Sequence, residues 1–304
     1  MIAASRLHDP AQLRILLLGG GGFIGAHLAA LLARSGADVS VLSRSASLRL
    51  SEPGVRHLRA DLSAPPSWPT LDADVVVHLA TQGTSLRDAL AVDAEVALAR
   101  HAIEVARRAS AAHFVFFGSA DEYGAAAAPQ REDRERLPLN WYGKAKARCS
   151  DLILESAASS GFAATVLRPF SVYGTGQPAR MFIGGAVHAA VSRTPFRMSL
   201  GTQIRDFVHV DDVAAAVAEA IARRAAGVFN VGTGVGTALI DAVERLRAIA
   251  PDLEIVRGDS VAPSDPPALV ADTSRARALL GWEARTSLDA GLRKMLTWER
   301  SQSA

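Results

Sequence analysis

The chain has 304 residues, 49% of them hydrophobic and 21% charged, enough for one large globular unit or two interlocked ones. Its formal net charge is +2, with the charges scattered rather than blocked, which excludes a nucleic-acid or membrane-surface footprint. The one cysteine, Cys149, excludes an internal disulfide, and its place in a predicted helix without a partner motif marks it as inert.

Residues 1–12 carry Arg6, His8, Asp9 and Pro10 and no apolar signal-peptide core, and no apolar run approaches a membrane span, so a cytoplasmic protein is expected. The run RILLL at 14–18, bounded by glycines, predicts a buried parallel strand. Helical spacing follows over 23–35 and stops at Gly36. Further strands are predicted at 38–42, 55–59, 75–78 and 113–117, with a helix at 92–109 before the last. A helix at 142–160 ends at Gly161, and a sixth strand at 164–168 ends at Pro169. Such alternation predicts an α/β fold with a doubly wound parallel sheet.

After Pro169 the pattern changes to short mixed segments rich in Gly and Pro. A strand and helix at 204–224 and a strand at 228–231 follow. The predicted organisation is a first domain over 13–170, with 204–231 returning to it. A smaller interleaved C-terminal lobe takes 171–203 and 232–300, its loop-rich stretch 251–267 bordering a cleft. No internal repeat is present.

Gly19, Gly22 and Gly25 stand where the first strand turns into a helix. Gly19 permits the tight turn, Gly22 lets backbone approach a pyrophosphate, and Gly25 allows close helix packing. The free N–H groups of the helix start, at Phe23 and Ile24, face the same phosphates. This is a Rossmann-type dinucleotide site. Ser43 and Arg44 follow the second strand, with no carboxylate to hold the ribose 2′-OH of NAD. A guanidinium there pairs with a 2′-phosphate, so NADP (as NADPH) is favoured over NAD. Asp61 and Leu62 flank the adenine site, while Leu79, Ala80 and Thr81 line the middle of the cofactor. Each lies at the carboxyl end of a strand, where open α/β sheets bind ligands.

The fifth strand runs into Ser119, and Tyr142 and Lys146 lie at i and i+4 on one helix face downstream. A tyrosine titrates at about 10, and a neighbouring ammonium lowers that by roughly 1–3 units. Tyr142 would then pass a proton while hydride moves, with Ser119 holding the substrate oxygen. The chain has three tyrosines, and its only lysines are Lys144, Lys146 and Lys294, so this spacing is informative. The histidines, His8, His27 and His57 among them, show no metal-ligand spacing, and no metal is expected.

These motifs resemble the extended short-chain dehydrogenase/reductases, the nucleotide-sugar epimerase/dehydratase group. The resemblance runs over 13–299 through GGGGFIG, ADL, VVVHLA, GSADEYG, WYGKAK, LRPFSVYGTGQ, RDFVHVDDVA, VFNVGTG, ADTSRARALLGW and SLDAGL. It implies a catalytic Ser119, Tyr142 and Lys146, with Lys146 also on the nicotinamide ribose, and a nucleotide-diphosphate sugar as substrate. The dehydratase Asp-Glu pair is replaced by Ala120 and Asp121, and Glu122 comes one position late. GSADEYG with GTGQPAR looks more like 4-ketoreductases acting on nucleotide-linked 4-keto-6-deoxyhexoses with NADPH. The alternatives are an NAD-dependent epimerase and a non-catalytic dinucleotide-binding scaffold. Asp121, Ser171, Gln177, Arg180 and Arg205 are the expected substrate contacts, with Ser171 where the family usually has Asn. A second family arginine on the diphosphate would fall near Ala262 and is missing, a role Arg180 could take over. The family often forms homodimers through the helices at 92–109 and 142–160.

Overall fold

The computed structural model describes residues 13–44, 53–64, 68, 71–83, 86 and 88–302; the reading of 1–12 lies outside them. A parallel seven-stranded sheet has the order β10-β6-β5-β4-β1-β2-β3. Its strands are β1 (Arg14–Leu18), β2 (Asp38–Ser43), β3 (Val55–Arg59), β4 (Val75–His78), β5 (His113–Phe117), β6 (Ala163–Pro169) and β10 (Gly227–Val231). The central strands are continuous apolar runs because both faces are covered. Ile15 and Leu17 of β1 enter one core and Leu16 and Leu18 the other, as a period of two requires. The first core packs α1 (Phe23–Arg34) and α5 (Val210–Ala222) on one face. The second packs α2 (Ala89–Arg108) and α3 (Trp141–Ser160) on the other. β3, VRHLR, is half-exposed, as suits the edge of the sheet.

Local chemistry sets the helix ends that matter for the site. Asp88 caps α2 by accepting from Ala91 N at 2.8 Å. Asn140 caps α3 by accepting from Gly143 N at 2.7 Å, and Gly161 ends α3 in the left-handed region at φ 77°. Among the described residues no helix is long and apolar enough to cross a membrane.

The smaller lobe is built on β9 (Ile204–His209), which pairs with β7 (Ser171–Tyr173), β11 (Gly236–Ala238) and β13 (Ala268–Leu269). β8 (Phe196–Met198) pairs with β12 (Ile255–Arg257). A third core joins Ile183, Val187, Phe207, Leu246, Leu292 and Leu296 from β9 and three helices, α4 (Phe182–Ser192), α6 (Leu239–Ile249) and α7 (Leu288–Gln302). Two expectations are corrected here. Of the segment 204–231, only α5 and β10 return to the large sheet, because β9 finds its partners in the smaller one. The stretch after Pro169 also holds a full helix, α4, despite Gly184 and Gly185. Those glycines are needed for packing: a Cβ on Gly184 would lie 2.5 Å from Pro178 O, and one on Gly185 2.7 Å from Ala179 O.

Two buried histidines link the fold to pH. Burial drives His78 down to about 3, helped by Lys146, and drives His113 down to about 4. Above about 6.5 both are neutral folded or unfolded, and stability is complete. Below it the unfolded chain takes up protons that the native state refuses, so stability falls. The slope is about 1.4 kcal/mol per pH unit per histidine, down to the native values. Thermal unfolding midpoints should therefore drop between neutral pH and pH ~4, with a flatter slope in His113→Gln.

Candidate active site

The strand order reverses between β1 and β4, so a crevice opens above their carboxyl ends. The glycine turn fills its floor. Gly19 sits at φ 82°, and a Cβ there would lie 2.5 Å from the Ala80 backbone, so β1 and β4 close on each other only with glycine. A Cβ on Gly25 would meet the Gly20 backbone at 2.5 Å, which is the close helix packing expected. Gly22, the exposed N-cap of α1, has only Gly19 O near its Cβ direction, at 3.6 Å. No side chain caps α1 and no acid stands in its first turn. The first-turn N–H groups of the half-buried Phe23 and Ile24 thus have no side-chain cap, and a positive helix end stands behind them. This cradle fits a dinucleotide pyrophosphate.

Farther along the crevice, Ser43 Oγ and His57 Nε2 share a hydrogen bond at 2.9 Å. Arg44 is exposed beside them. Asp61 accepts from Ser63 N at 2.9 Å and Ser63 Oγ at 2.7 Å, and these bonds, with Arg44 nearby, hold its carboxyl below the usual range. Leu62 is buried, while Leu79, Ala80 and Thr81 are half-buried after β4.

Ser119, Tyr142 and Lys146 converge at the end of β5. The Ser119 hydroxyl reaches the Tyr142 phenol, and Lys146 Nζ lies 5.7 Å from the Tyr142 ring and 5.0 Å from that of Phe116. Ser119 Oγ donates to Asp121 Oδ2 at 3.1 Å, and Asn140 Nδ2 donates to Asp121 Oδ1 at 3.0 Å. The carboxylate of Asp121 therefore locks the serine rotor to the cap of α3. Asn140 was missed in the sequence, although a cap residue before a helical run is a readable signal.

The expectation that Lys146 pulls Tyr142 below its ordinary value is corrected. Burial pushes the phenol up; Lys146 opposes this, but Asp121 and Glu95 add to it, and the net direction is upward. Burial is the main reason, and among the charges that add to it is Glu95, also missed. It projects from the apolar stripe of α2 and pairs with Lys146 Nζ at 3.1 Å, both side chains buried. Its second oxygen accepts from Gln82 N at 2.7 Å. Burial pushes Lys146 down, yet Tyr142 and Glu95 outweigh it and the ammonium is held above its ordinary value.

The other notable acid, Glu122, is held inside the protein. It is fully buried and accepts from Ser119 N at 3.1 Å, Ser150 Oγ at 2.9 Å and Arg168 Nε at 3.0 Å. Arg168 Nη1 donates to Tyr123 Oη at 2.9 Å, which donates to Asn230 Oδ1 at 2.7 Å. Burial pushes Tyr123 up to about 12, against the pull of Arg168. Cys149 is buried, and burial pushes its thiol up to about 12, which leaves it unreactive.

In the smaller lobe Ser171 is half-buried on β7. Gln177 Nε2 donates to Val172 O at 2.8 Å, while its buried Oε1 has no partner. Arg180 is exposed. Arg205 is paired with Asp265, which also accepts from Gln203 Nε2 at 2.6 Å. The guanidinium expected on a diphosphate is thus partly neutralised by the chain itself.

Comparison with known proteins agrees with this architecture. The family described as NAD dependent epimerase/dehydratase matches residues 15–232. A dTDP-6-deoxy-L-talose 4-dehydrogenase (NAD(P)(+)) from Kitasatospora kifunensis is 34% identical, over 94% of this chain and 96% of its own. A UDP-glucose 4-epimerase from Azospirillum brasilense is 31% identical, over 96% of this chain and 93% of its own. Among solved structures, MoeE5 in complex with UDP-glucuronic acid and NAD gives a TM-score of 0.87 at 30% identity, covering 95% of this chain and 99% of that one. The chain belongs to the NAD-dependent epimerase/dehydratase family and is an NAD(P)-dependent enzyme of the short-chain dehydrogenase/reductase type.

Proposed function

We propose that this enzyme is an NADPH-dependent 4-ketoreductase of nucleoside-diphosphate 4-keto-6-deoxyhexoses. The observation that carries the reading is the Ser119–Tyr142–Lys146 cluster beside a glycine cradle open to a pyrophosphate. Gly19, Gly22, Phe23, Ile24 and Gly25 hold the pyrophosphate, and Ser43 and Arg44 the adenosine ribose and its 2′-phosphate. Asp61 and Leu62 flank the adenine; Leu79, Ala80 and Thr81 the central part; Tyr142 and Lys146 the nicotinamide ribose. The bound nicotinamide supplies hydride. Tyr142 gives its proton to the C4 oxygen as that carbon gains hydride, so a carbonyl becomes a secondary alcohol and the phenolate is reprotonated from solvent. Ser119 orients the oxygen. Asp121, Ser171, Gln177, Arg180 and Arg205 contact the sugar nucleotide. The name of the Kitasatospora relative supports the reading, since 4-dehydrogenation is 4-ketoreduction run backwards.

The Azospirillum relative favours a second reading, a 4-epimerase that returns hydride to the same sugar. Purified protein offered TDP-, GDP- and CDP-linked 4-keto-6-deoxyhexoses should consume NADPH faster than NADH. Cofactor that copurifies, with no net consumption of reduced nucleotide, would instead mark the epimerase. A homodimer through α2 and α3 belongs to the same proposal; Leu90, at the exposed start of α2, is 78% accessible in one chain.

A further inference from the structure

We propose that Arg59, on the edge strand β3, is a specificity-determining residue for the adenosine 2′-phosphate of NADPH, completing with Arg44 a two-guanidinium grip around Ser43. The proposal deepens the NADPH reading and rests on it.

The strand register places these groups together. β2 and β3 run parallel, with Val41 opposite His57 and Ser43 opposite Arg59. Partners in neighbouring strands stand on one face of the sheet, about 4.8 Å apart. Val41 enters the core under α1 and Leu42 the opposite core, so the period of two puts Ser43, His57 and Arg59 on the α1 face. Ser43 and Arg59 are the last residues of their strands, and Arg44 follows Ser43 directly. These are carboxyl ends, where an open α/β sheet binds its ligand. Arg44 thus flanks Ser43 along the chain, and Arg59 flanks it across the sheet.

Pairing separates Arg59 from the other arginine of β3. Charge on an edge strand deters pairing with another chain, and Arg56 already supplies it from the opposite face. Arg56 is tied down there: its Nη2 donates to Asp38 Oδ1 at 2.9 Å and its Nε to Ser40 Oγ at 3.0 Å. Arg59 is exposed and, like Arg44, forms no ion pair among the described residues. Asp61, two residues on, has its Oδ1 taken by Ser63 N at 2.9 Å and Ser63 Oγ at 2.7 Å. Two guanidiniums at adjoining strand ends, neither paired with a carboxylate, suit a dianion whose oxygens accept from both planar forks.

Ser43 adds a third donor. It is buried, and its Oγ shares a hydrogen bond of 2.9 Å with His57 Nε2. With the ring proton on Nε2, Ser43 accepts from His57 and keeps its own O–H for the anion. An acid at this position would repel the same phosphate.

The test is calorimetric titration of cofactor-free full-length protein with 2′,5′-ADP and with 5′-AMP, which differ by the 2′-phosphate alone. Wild type should bind 2′,5′-ADP more tightly. In Arg59→Gln the ratio of the two affinities should fall about 10-fold, the weight of one charge-assisted hydrogen bond. Arg59→Lys, which keeps the charge and loses the fork, should fall between wild type and Arg59→Gln. Arg44→Gln should lower the ratio as well. A ratio that falls in Arg44→Gln and holds in both Arg59 variants would overturn the assignment of Arg59 while the NADPH reading stands. Equal affinity of wild type for the two nucleotides would remove that reading and the proposal with it. Neither titration uses a sugar, so the outcome is independent of whether the keto-sugar panel turns over.

Discussion

Tyr142→Phe is expected to lower the turnover of keto sugar by about 100- to 10,000-fold, the usual contribution of a positioned general acid. The substitution removes one oxygen and keeps the ring on which Lys146 rests at 5.7 Å. No other phenol can take over. Tyr123 is fully buried between Arg168 and Asn230, and Tyr173 is fully buried with its hydroxyl on Ser287 O at 3.1 Å. Burial pushes both further up than the ordinary tyrosine value. Steady-state kinetics with a fluorescence measurement of NADPH binding separates the effects: kcat should collapse while the affinity for NADPH changes little. Full activity in this variant would move the proton donor elsewhere.

The second large effect is on stability. Glu122→Ala should remove about 3–5 kcal/mol of folding free energy, because it leaves the Arg168 guanidinium buried without its counter-ion. Arg168 is 3% exposed and cannot turn to water. Ser119 N and Ser150 Oγ lose their acceptor in the same step. A domain holds only about 5–15 kcal/mol in total, so the variant would stand close to unfolding at ambient temperature. Urea denaturation measures the loss. Replacing both partners, as Glu122→Gln with Arg168→Met, should lose less than the two single changes added, since no bare charge remains. Equal and additive losses would show that the pair is not one unit.

Much of this molecule is readable from local pattern. β1, β3, β4 and β5 fall at their predicted limits because each is a short run bounded by turn residues. The glycine turn and the spacing of Tyr142 and Lys146 are equally local, so the sequence points to them directly. What it hides is non-local. β9 has a strand's composition, but nothing within it says which sheet holds its partners. α4 carries adjacent glycines that a propensity argument reads as loop, and only the carbonyls of Pro178 and Ala179 explain them. Glu95 is the most telling case. An acid on the apolar stripe of a helix is visible in the sequence, yet its meaning depends on a lysine from another helix. The upward direction at Tyr142 comes first from burial, with Glu95 one of two carboxylates that add to it.

The division of 204–231 between the two sheets also bears on how the enzyme comes apart. The polypeptide leaves the large sheet after β6, builds β7 to β9, returns for α5 and β10, and departs again for β11 to β13. No single cut yields two self-contained pieces: truncation before α5 strips β10 from β6 and bares the sheet's flank. Melting should therefore proceed as one transition rather than two, and opening of the crevice must come from bending of several strands of backbone together instead of rotation about a single linker.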